Sequence, residues 1–189
     1  LAPLLLDFSQ RHPEVSLDMD YSDRRINLIE EGIDLAIRIT RRLDPGDVAR
    51  KIGSSRLLVV AAPDYLARHG RPQHPAELEH HECLGYSGSG AAQNWHFLVD
   101  GQLQTYLLRS RINANNGDVL SEGAALGLGI TLQPDFIVAD LLAVGRVEQI
   151  LAAFPIPEHG IYAMLPGNRH VSHRVRVLMD FLAANADAA

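Results

Sequence analysis

The chain has 189 residues, of which 47% are hydrophobic and 21% are charged, a composition typical of an ordinary folded domain. Its formal net charge of −6 argues against direct contact with nucleic acid, because domains that bind nucleic acid are normally basic. No stretch approaches the roughly 18 consecutive apolar residues of a membrane-spanning helix, so no membrane partner is expected.

The single cysteine, Cys83, excludes an internal disulfide and favours a cytoplasmic location, although a disulfide-free periplasmic protein stays open. The apolar segment Leu1–Leu6 lacks the basic flank and the small-residue cleavage site of a signal peptide. Because no Met begins the sequence, we expect a fragment of a longer protein.

Helices and strands are predicted to alternate in the first third of the chain. In order, these are a helix over Leu1–Gln10, a strand over Val15–Met19, a helix capped by Ser22 and ended by Gly32, and strands over Ile33–Ile39 and Leu57–Ala62. This order implies a parallel sheet built by right-handed crossovers.

The same alternation continues after a proline-punctuated connector. The predicted elements are a helix over Pro63–His69, a helical turn at Ala76–Leu78, a strand over Cys83–Tyr86, a hairpin turning at Asp100-Gly101, a strand over Arg111–Ala114, a helix opened by Asn115-Asn116-Gly117-Asp118, a strand over Ile130–Leu132, a helix over Pro134–Val144, strands over Val147–Leu151 and Ile161–Leu165, and a helix capped by Ser172.

The pattern predicts two α/β lobes, because the last strand and helix need a sheet to join. We expect lobe I to comprise residues 1–62 and 160–189, and lobe II residues 63–159, with two chain crossings forming a hinge. Ligands of such proteins bind in the cleft, at the carboxyl ends of parallel strands.

Two predicted helix N-termini are the first candidate ligand site. Ser22 and Asp23 follow one strand, and Asn115, Asn116 and Gly117 follow another in the other lobe. Free N–H donors and the helix dipole attract carboxylates and phosphates, so the two ends together would hold an anion. The alternative is plain capping, which every helix needs.

Other polar residues are weaker candidates. Arg38 lies in an apolar strand, where its guanidinium would bind a ligand carboxylate or form an internal ion pair with Asp34 or Asp18. Tyr86 and Ser87 end another strand, and they would contact a ligand or simply pack and face solvent. Gln133-Pro134 is a similar candidate.

Catalytic and metal-binding patterns are incomplete, so neither an enzyme nor a metal or cofactor is expected. His80-His81-Glu82 lacks the spacing that places two ligands on one helical face. Gly85–Ser89 falls one residue short of a nucleophile elbow, and Gly127–Leu132 lacks the third glycine of a dinucleotide fingerprint.

Six segments in order along the chain resemble landmarks of the effector-binding domain of LysR-type transcriptional regulators. They are Phe8–Val15, Glu31–Arg38, Val59–Gly70, Pro75–Leu84, Gly127–Ile130 and Ile161–Pro166. The resemblance covers essentially the whole chain. It implies a type 2 periplasmic-binding-protein-like fold, with two Rossmann-like lobes joined by a two-strand hinge.

The resemblance also implies a function. A small, anionic effector binds in the cleft, which is lined by the positions of Ser22 and Asn115–Gly117 and edged by the loop after Tyr86. By the same resemblance we expect homodimers through the first helix and the strand at Val15–Met19, with a tetramer possible in the full-length regulator. We also expect DNA to be bound only through an N-terminal winged helix-turn-helix domain that this chain does not include. A solute-binding protein of a transport system is the alternative.

Overall fold

The structure is a computed structural model that describes residues 1–21, 26–87, 93–167 and 171–185. The chain divides into a first unit, Leu1–Ser55 with His159–Ala189, and a second unit, Arg56–Glu158. Among the described residues, no helix is long and apolar enough to cross a membrane.

The first unit is a three-stranded sheet covered on one face by two helices. Its elements are α1 (Ala2–Arg11), β1 (Ala36–Thr40), β2 (Val48–Ser55), β10 (His159–Leu165) and α5 (His173–Asn185). Alternate residues of the strands pack with Phe8 of α1 and with Val175 and Leu182 of α5. The two helices therefore share one core with one face of the sheet.

The sheet order is β1-β10-β2, and both pairings are antiparallel. The prediction of parallel strands is wrong for this unit. The reason is that β10, from the far end of the chain, lies between β1 and β2, which the local alternation of helices and strands cannot indicate. Strand β2 was also not predicted.

Two predicted elements of the first unit do not form among the described residues. Val15 and Leu17 pack on the core, but residues 15–19 pair with no described strand. The helix predicted to end at Gly32 is replaced over residues 28–32 by turns, where Asn27 Oδ1 accepts a hydrogen bond from Ile29 N at 3.1 Å. This local bond competes with a continuous helix.

The second unit has three layers around a five-stranded sheet. Its elements are β3 (Leu57–Ala61), α2 (Pro63–His69), a 3₁₀ helix (Pro75–His80), β4 (Cys83–Tyr86), β5 (Gln93–Val99), β6 (Gln102–Leu108), β7 (Ser110–Ala114), α3 (Gly117–Ala125), β8 (Ile130–Pro134), α4 (Asp135–Ala143) and β9 (Glu148–Ile150). The sheet order is β7-β4-β8-β3-β9, with β7, β4 and β8 parallel and β3 antiparallel to both its neighbours.

Each face of this sheet has its own core. One core includes Val60, Leu84, Leu120 and Val138, which joins the sheet to α3 and α4. The other includes Tyr65, Leu78, Trp95 and Phe97, which joins it to α2, the 3₁₀ helix and the β5–β6 hairpin. The hairpin turns at Asp100 (φ 51°) and Gly101 (φ 75°), as predicted.

The division of the chain falls at Ser55, whereas the sequence placed it near Ala62. Strand β3 lies between β8 and β9 and so belongs to the sheet of the second unit. An apolar strand is suited to either sheet, so only the pairing decides which unit contains it.

Candidate functional site

The carboxyl ends of three parallel strands meet at one edge of the second unit's sheet. Tyr86 of β4 is opposite Ala114 of β7, and Leu84 is opposite Thr131 of β8. The residues at and after these strand ends form what we call the carboxyl edge: Tyr86, Ser87, Asn115, Asn116, Gly117, Gln133 and Pro134. The structure thus brings all the candidate residues of the second unit to one edge.

Helix α3 begins at this edge, and Asn116 caps it. The Asn116 Oδ1 atom accepts a hydrogen bond from Val119 N at 3.0 Å, with the Asn116 backbone extended at φ −131° and ψ 123°. The capping role is therefore confirmed. The N–H groups that precede Val119 have no acceptor within the helix, so they are available to a bound anion.

Gln133 connects the strand ends beneath α3. Its Nε2 donates a hydrogen bond to Thr131 Oγ1 at 2.9 Å. The Thr131 hydroxyl in turn donates to the Leu84 carbonyl oxygen at 3.5 Å. The Gln133 side chain is 2% exposed. A Cβ atom on Gly117 would lie 2.8 Å from Gln133 Oε1 and 2.7 Å from Ile137 Cδ1, so a larger residue at the start of α3 requires the ends of these two side chains to shift.

The remaining surface at the edge is mixed in character. Tyr86 is half-buried and packs against the α3 core, whereas Ser87 and Asn115 are exposed. Val119 and Phe136, in the first turns of α3 and α4, are exposed apolar side chains. A ligand with both polar and apolar parts would fit such a surface.

Acidic side chains moderate the charge of the carboxyl edge. Asp118 is exposed in the first turn of α3. Asp135, in the first turn of α4, forms an ion pair with Arg56, with 3.2 Å between Asp135 Oδ2 and Arg56 Nε. Attraction of an anion here therefore depends on backbone N–H groups rather than on net charge.

In the first unit, Arg38 occupies the middle of β1. It is half-buried, and no described residue forms an ion pair or hydrogen bond with it. The predicted internal ion pair is wrong, because Asp34 lies 3.3 Å from Arg174 and Asp18 is exposed without a described cationic partner. Ser22 and Asp23 lie outside the described residues.

Titratable groups in the second unit are buried for packing reasons. Burial, with a smaller effect of the Glu82 carboxylate, raises the pKa of Cys83 to about 12. Burial also lowers the pKa of His81, whose Nδ1 is 3.3 Å from the Tyr65 hydroxyl. Among the described residues, no group of three His, Cys, Asp or Glu side chains is arranged to hold a metal ion.

Comparisons with known proteins agree with this fold. A family model described as the LysR substrate binding domain matches residues 1–187. The HTH-type transcriptional regulator CrgA of Neisseria meningitidis serogroup C (strain 8013) is 37% identical over 183 residues, which are 96% of this chain and 61% of that protein. An HTH-type transcriptional regulator of Xanthomonas campestris pv. campestris (strain 8004) is 35% identical over 194 residues, which cover 100% of this chain and 56% of that protein.

Solved structures are similar over nearly the whole chain. The CrgA regulatory domain from Neisseria meningitidis has a TM-score of 0.84 at 36% identity, covering 97% of this chain and 90% of that one. Full-length AphB of Vibrio cholerae has a TM-score of 0.83 at 26% identity, covering 97% of this chain and 62% of that one.

These similarities confirm the fold expected from the sequence, that of type 2 periplasmic-binding-protein-like regulatory domains. The chain spans 61% of the length of CrgA and 56% of the length of the Xanthomonas relative. Because the family model covers all but the last two residues, the chain belongs to the family of LysR substrate-binding domains.

Proposed function

We propose that this chain is the effector-sensing and oligomerisation domain of a LysR-type DNA-binding transcriptional regulator. The observation that carries the proposal is the carboxyl edge, where three parallel strands end beside the capped N-terminus of α3. Effectors of α/β proteins bind at such edges. The relatives described above are named as transcriptional regulators, which favours this function over a transport solute-binding protein or an enzyme.

The proposed effector is a small carboxylate with an apolar part. Its charge binds the free N–H groups of the first turn of α3, and its apolar part contacts Val119 and Phe136, which are otherwise exposed. The ligand residues we propose are Ser22, Asp23, Arg38, Tyr86, Ser87, Asn115, Asn116, Gly117 and Pro134.

In the longer protein, the effector acts by binding one conformation of the domain more tightly than another, which shifts their populations. DNA is bound by a helix-turn-helix domain outside this chain, and the protein is cytoplasmic. Exposed Leu6, Met19 and Tyr21 of the first unit support a homodimer through α1 and the segment after it, and a tetramer is possible in the full-length protein.

A thermal-shift screen of small carboxylates, each paired with its neutral amide, tests the proposal. Ligand at about 100 times its Kd stabilises the protein by about 2.7 kcal/mol, and about 2–4 °C of Tm accompanies each kcal/mol at this chain length. We expect a carboxylate to raise Tm and its amide to have a much smaller effect.

Variants then locate the bound carboxylate. Asn115→Ala and Asn116→Ala, measured by calorimetric titration, should each weaken it at least fivefold. Asn94→Ala is the matched control, because Asn94 is an exposed asparagine of the β5–β6 hairpin. If all three variants bind a confirmed carboxylate as the unchanged protein does, the effector does not bind at the carboxyl edge.

A further inference from the structure

Three side chains with hydrogen-bond donors lie in a row across the sheet of the first unit. Tyr162 of β10 is directly opposite Arg38 of β1 on one side and Lys51 of β2 on the other. Directly opposed residues are about 5 Å apart at Cα, so the row is about 10 Å long. We call Arg38, Tyr162 and Lys51 the donor row.

Strand alternation places the donor row on the sheet face opposite the helices. Ile37 and Ile161 pack in the core with α1 and α5, so the neighbouring residues Arg38 and Tyr162 point the other way. Arg50 forms an ion pair with Asp180 of α5, which places Lys51 on the opposite face as well. All three side chains therefore point to the same side of the sheet.

None of these three side chains has an ion-pair or hydrogen-bond partner in the described part of the protein. No described carboxylate lies within 4.0 Å of the Arg38 guanidinium or the Lys51 ammonium group, and no described residue hydrogen-bonds to the Tyr162 hydroxyl. A half-buried guanidinium loses part of its hydration, so leaving Arg38 without an anionic partner is costly.

Gly160 fixes the Tyr162 ring over the sheet. A Cβ atom on Gly160 would lie 2.6 Å from both the Cζ and the hydroxyl oxygen of Tyr162, so the ring occupies the space of the missing side chain. Gly160 is in turn opposite Thr40 of β1 and Ser54 of β2. The phenol hydroxyl is therefore held over the middle strand, displaced along it from the positions of Arg38 and Lys51 toward Thr40 and Ser54.

We propose that the donor row binds an oxyanion, a carboxylate or a phosphate group, with Arg38 and Lys51 supplying the charge and Tyr162 a neutral donor. Arg38 suits this role because its planar fork of N–H groups matches the oxygens of either anion. This proposal deepens the proposed function, because it assigns Arg38, one of the proposed ligand residues, to binding an oxyanion. It rests on the proposed function only for the role of Arg38 as a ligand residue.

The test is an NMR titration of the ¹⁵N-labelled chain with inorganic phosphate, and separately with acetate, against sodium chloride at constant ionic strength. We expect saturable shifts at Arg38 Nε and at the backbone amides of the donor row. Arg38→Gln and Lys51→Gln should each raise the Kd at least fivefold. Tyr162→Phe and Gly160→Ala, which remove or displace the hydroxyl, should each raise it at least twofold.

Arg41→Gln is the matched control, because it removes the same charge from an exposed residue just beyond β1 and should leave the Kd unchanged. Lys51 is exposed, so its variant is expected to fold even if Arg38→Gln does not. The proposal is overturned if neither anion gives saturable shifts at the donor row, or if Arg41→Gln weakens binding as much as Lys51→Gln.

The two proposals fail separately. If neither phosphate nor acetate binds at the donor row while a carboxylate still binds at the carboxyl edge, only the proposed donor-row site is rejected. Saturable anion binding at the donor row, with no carboxylate hit sensitive to Asn115 or Asn116, rejects the proposed effector site.

Discussion

Replacing Asn116 separates the stability of α3 from its affinity for an anion. The side chain is exposed, so Asn116→Ala leaves no cavity, and its main effect is loss of the hydrogen bond to Val119 N. Loss of such a cap costs about 1 kcal/mol, within a range of roughly 0.5–2 kcal/mol. Leu120 and Ala124 of α3 are fully buried, so fraying of the helix is transmitted to the core.

Asn116→Asp has the opposite effect on stability. Aspartate preserves the cap, and its charge at the helix N-terminus contributes about 0.3–1 kcal/mol of further stability. The same charge repels an anionic effector, so affinity for a carboxylate hit should fall while the free energy of unfolding rises.

Urea unfolding at pH 7, followed by circular dichroism, measures the stabilities, and calorimetric titration measures affinity. Asn115→Ala serves as the stability control, because Asn115 is exposed and its side chain caps no helix among the described residues. Its free energy of unfolding should differ from that of the unchanged protein by no more than about 0.5 kcal/mol. Equal stabilities for Asn116→Ala and Asn116→Asp would refute the capping argument. If both variants bind the carboxylate with the affinity of the unchanged protein, the role of the helix N-terminus in binding is refuted.

Three further predictions concern other parts of the chain. Because Cys83 is 1% exposed and its pKa is raised to about 12, its thiol should react with Ellman's reagent only in denaturant; one equivalent released from the native protein would contradict this. Because the pKa of His81 is lowered on folding, its contribution to stability is present above the unfolded value of 6.5 and lost as pH falls below it. His81→Gln should therefore reduce the fall in the urea midpoint between pH 7.5 and 5.5, and an unchanged pH dependence would exclude this origin. Leu6→Glu, at a site that is 56% exposed on α1, should convert the proposed dimer to monomer in sedimentation experiments. Leu107→Glu, on the β5–β6 hairpin, should leave it unchanged, and equal behaviour of the two variants would place the interface elsewhere.

Local features of this chain were predictable because their causes lie within a few residues. The hairpin at Asp100-Gly101 needs positive φ at two consecutive positions, which this pair accepts. The start of α3 needs an acceptor three residues before Val119, and Asn116 supplies it. Because both causes are local, neither depends on the rest of the fold.

Residues 15–19 show where local pattern is insufficient. Their alternation is that of a strand, and Val15 and Leu17 do face the core, but no described strand pairs with them. A strand needs a partner from elsewhere in the chain as well as a suitable pattern. The turns over residues 28–32 show the same limit for a predicted helix.

The sequence by itself determined the family, the α/β class, most elements after Leu57 and the candidate residues of the carboxyl edge. Only the tertiary structure decided that β10 lies between β1 and β2, that β3 belongs to the second unit, and that Arg38 is half-exposed and opposite Tyr162. The physical reason is that propensity and capping act over a few residues. Strand order and register instead depend on pairing between distant segments, such as Ala36 of β1 with Met164 of β10.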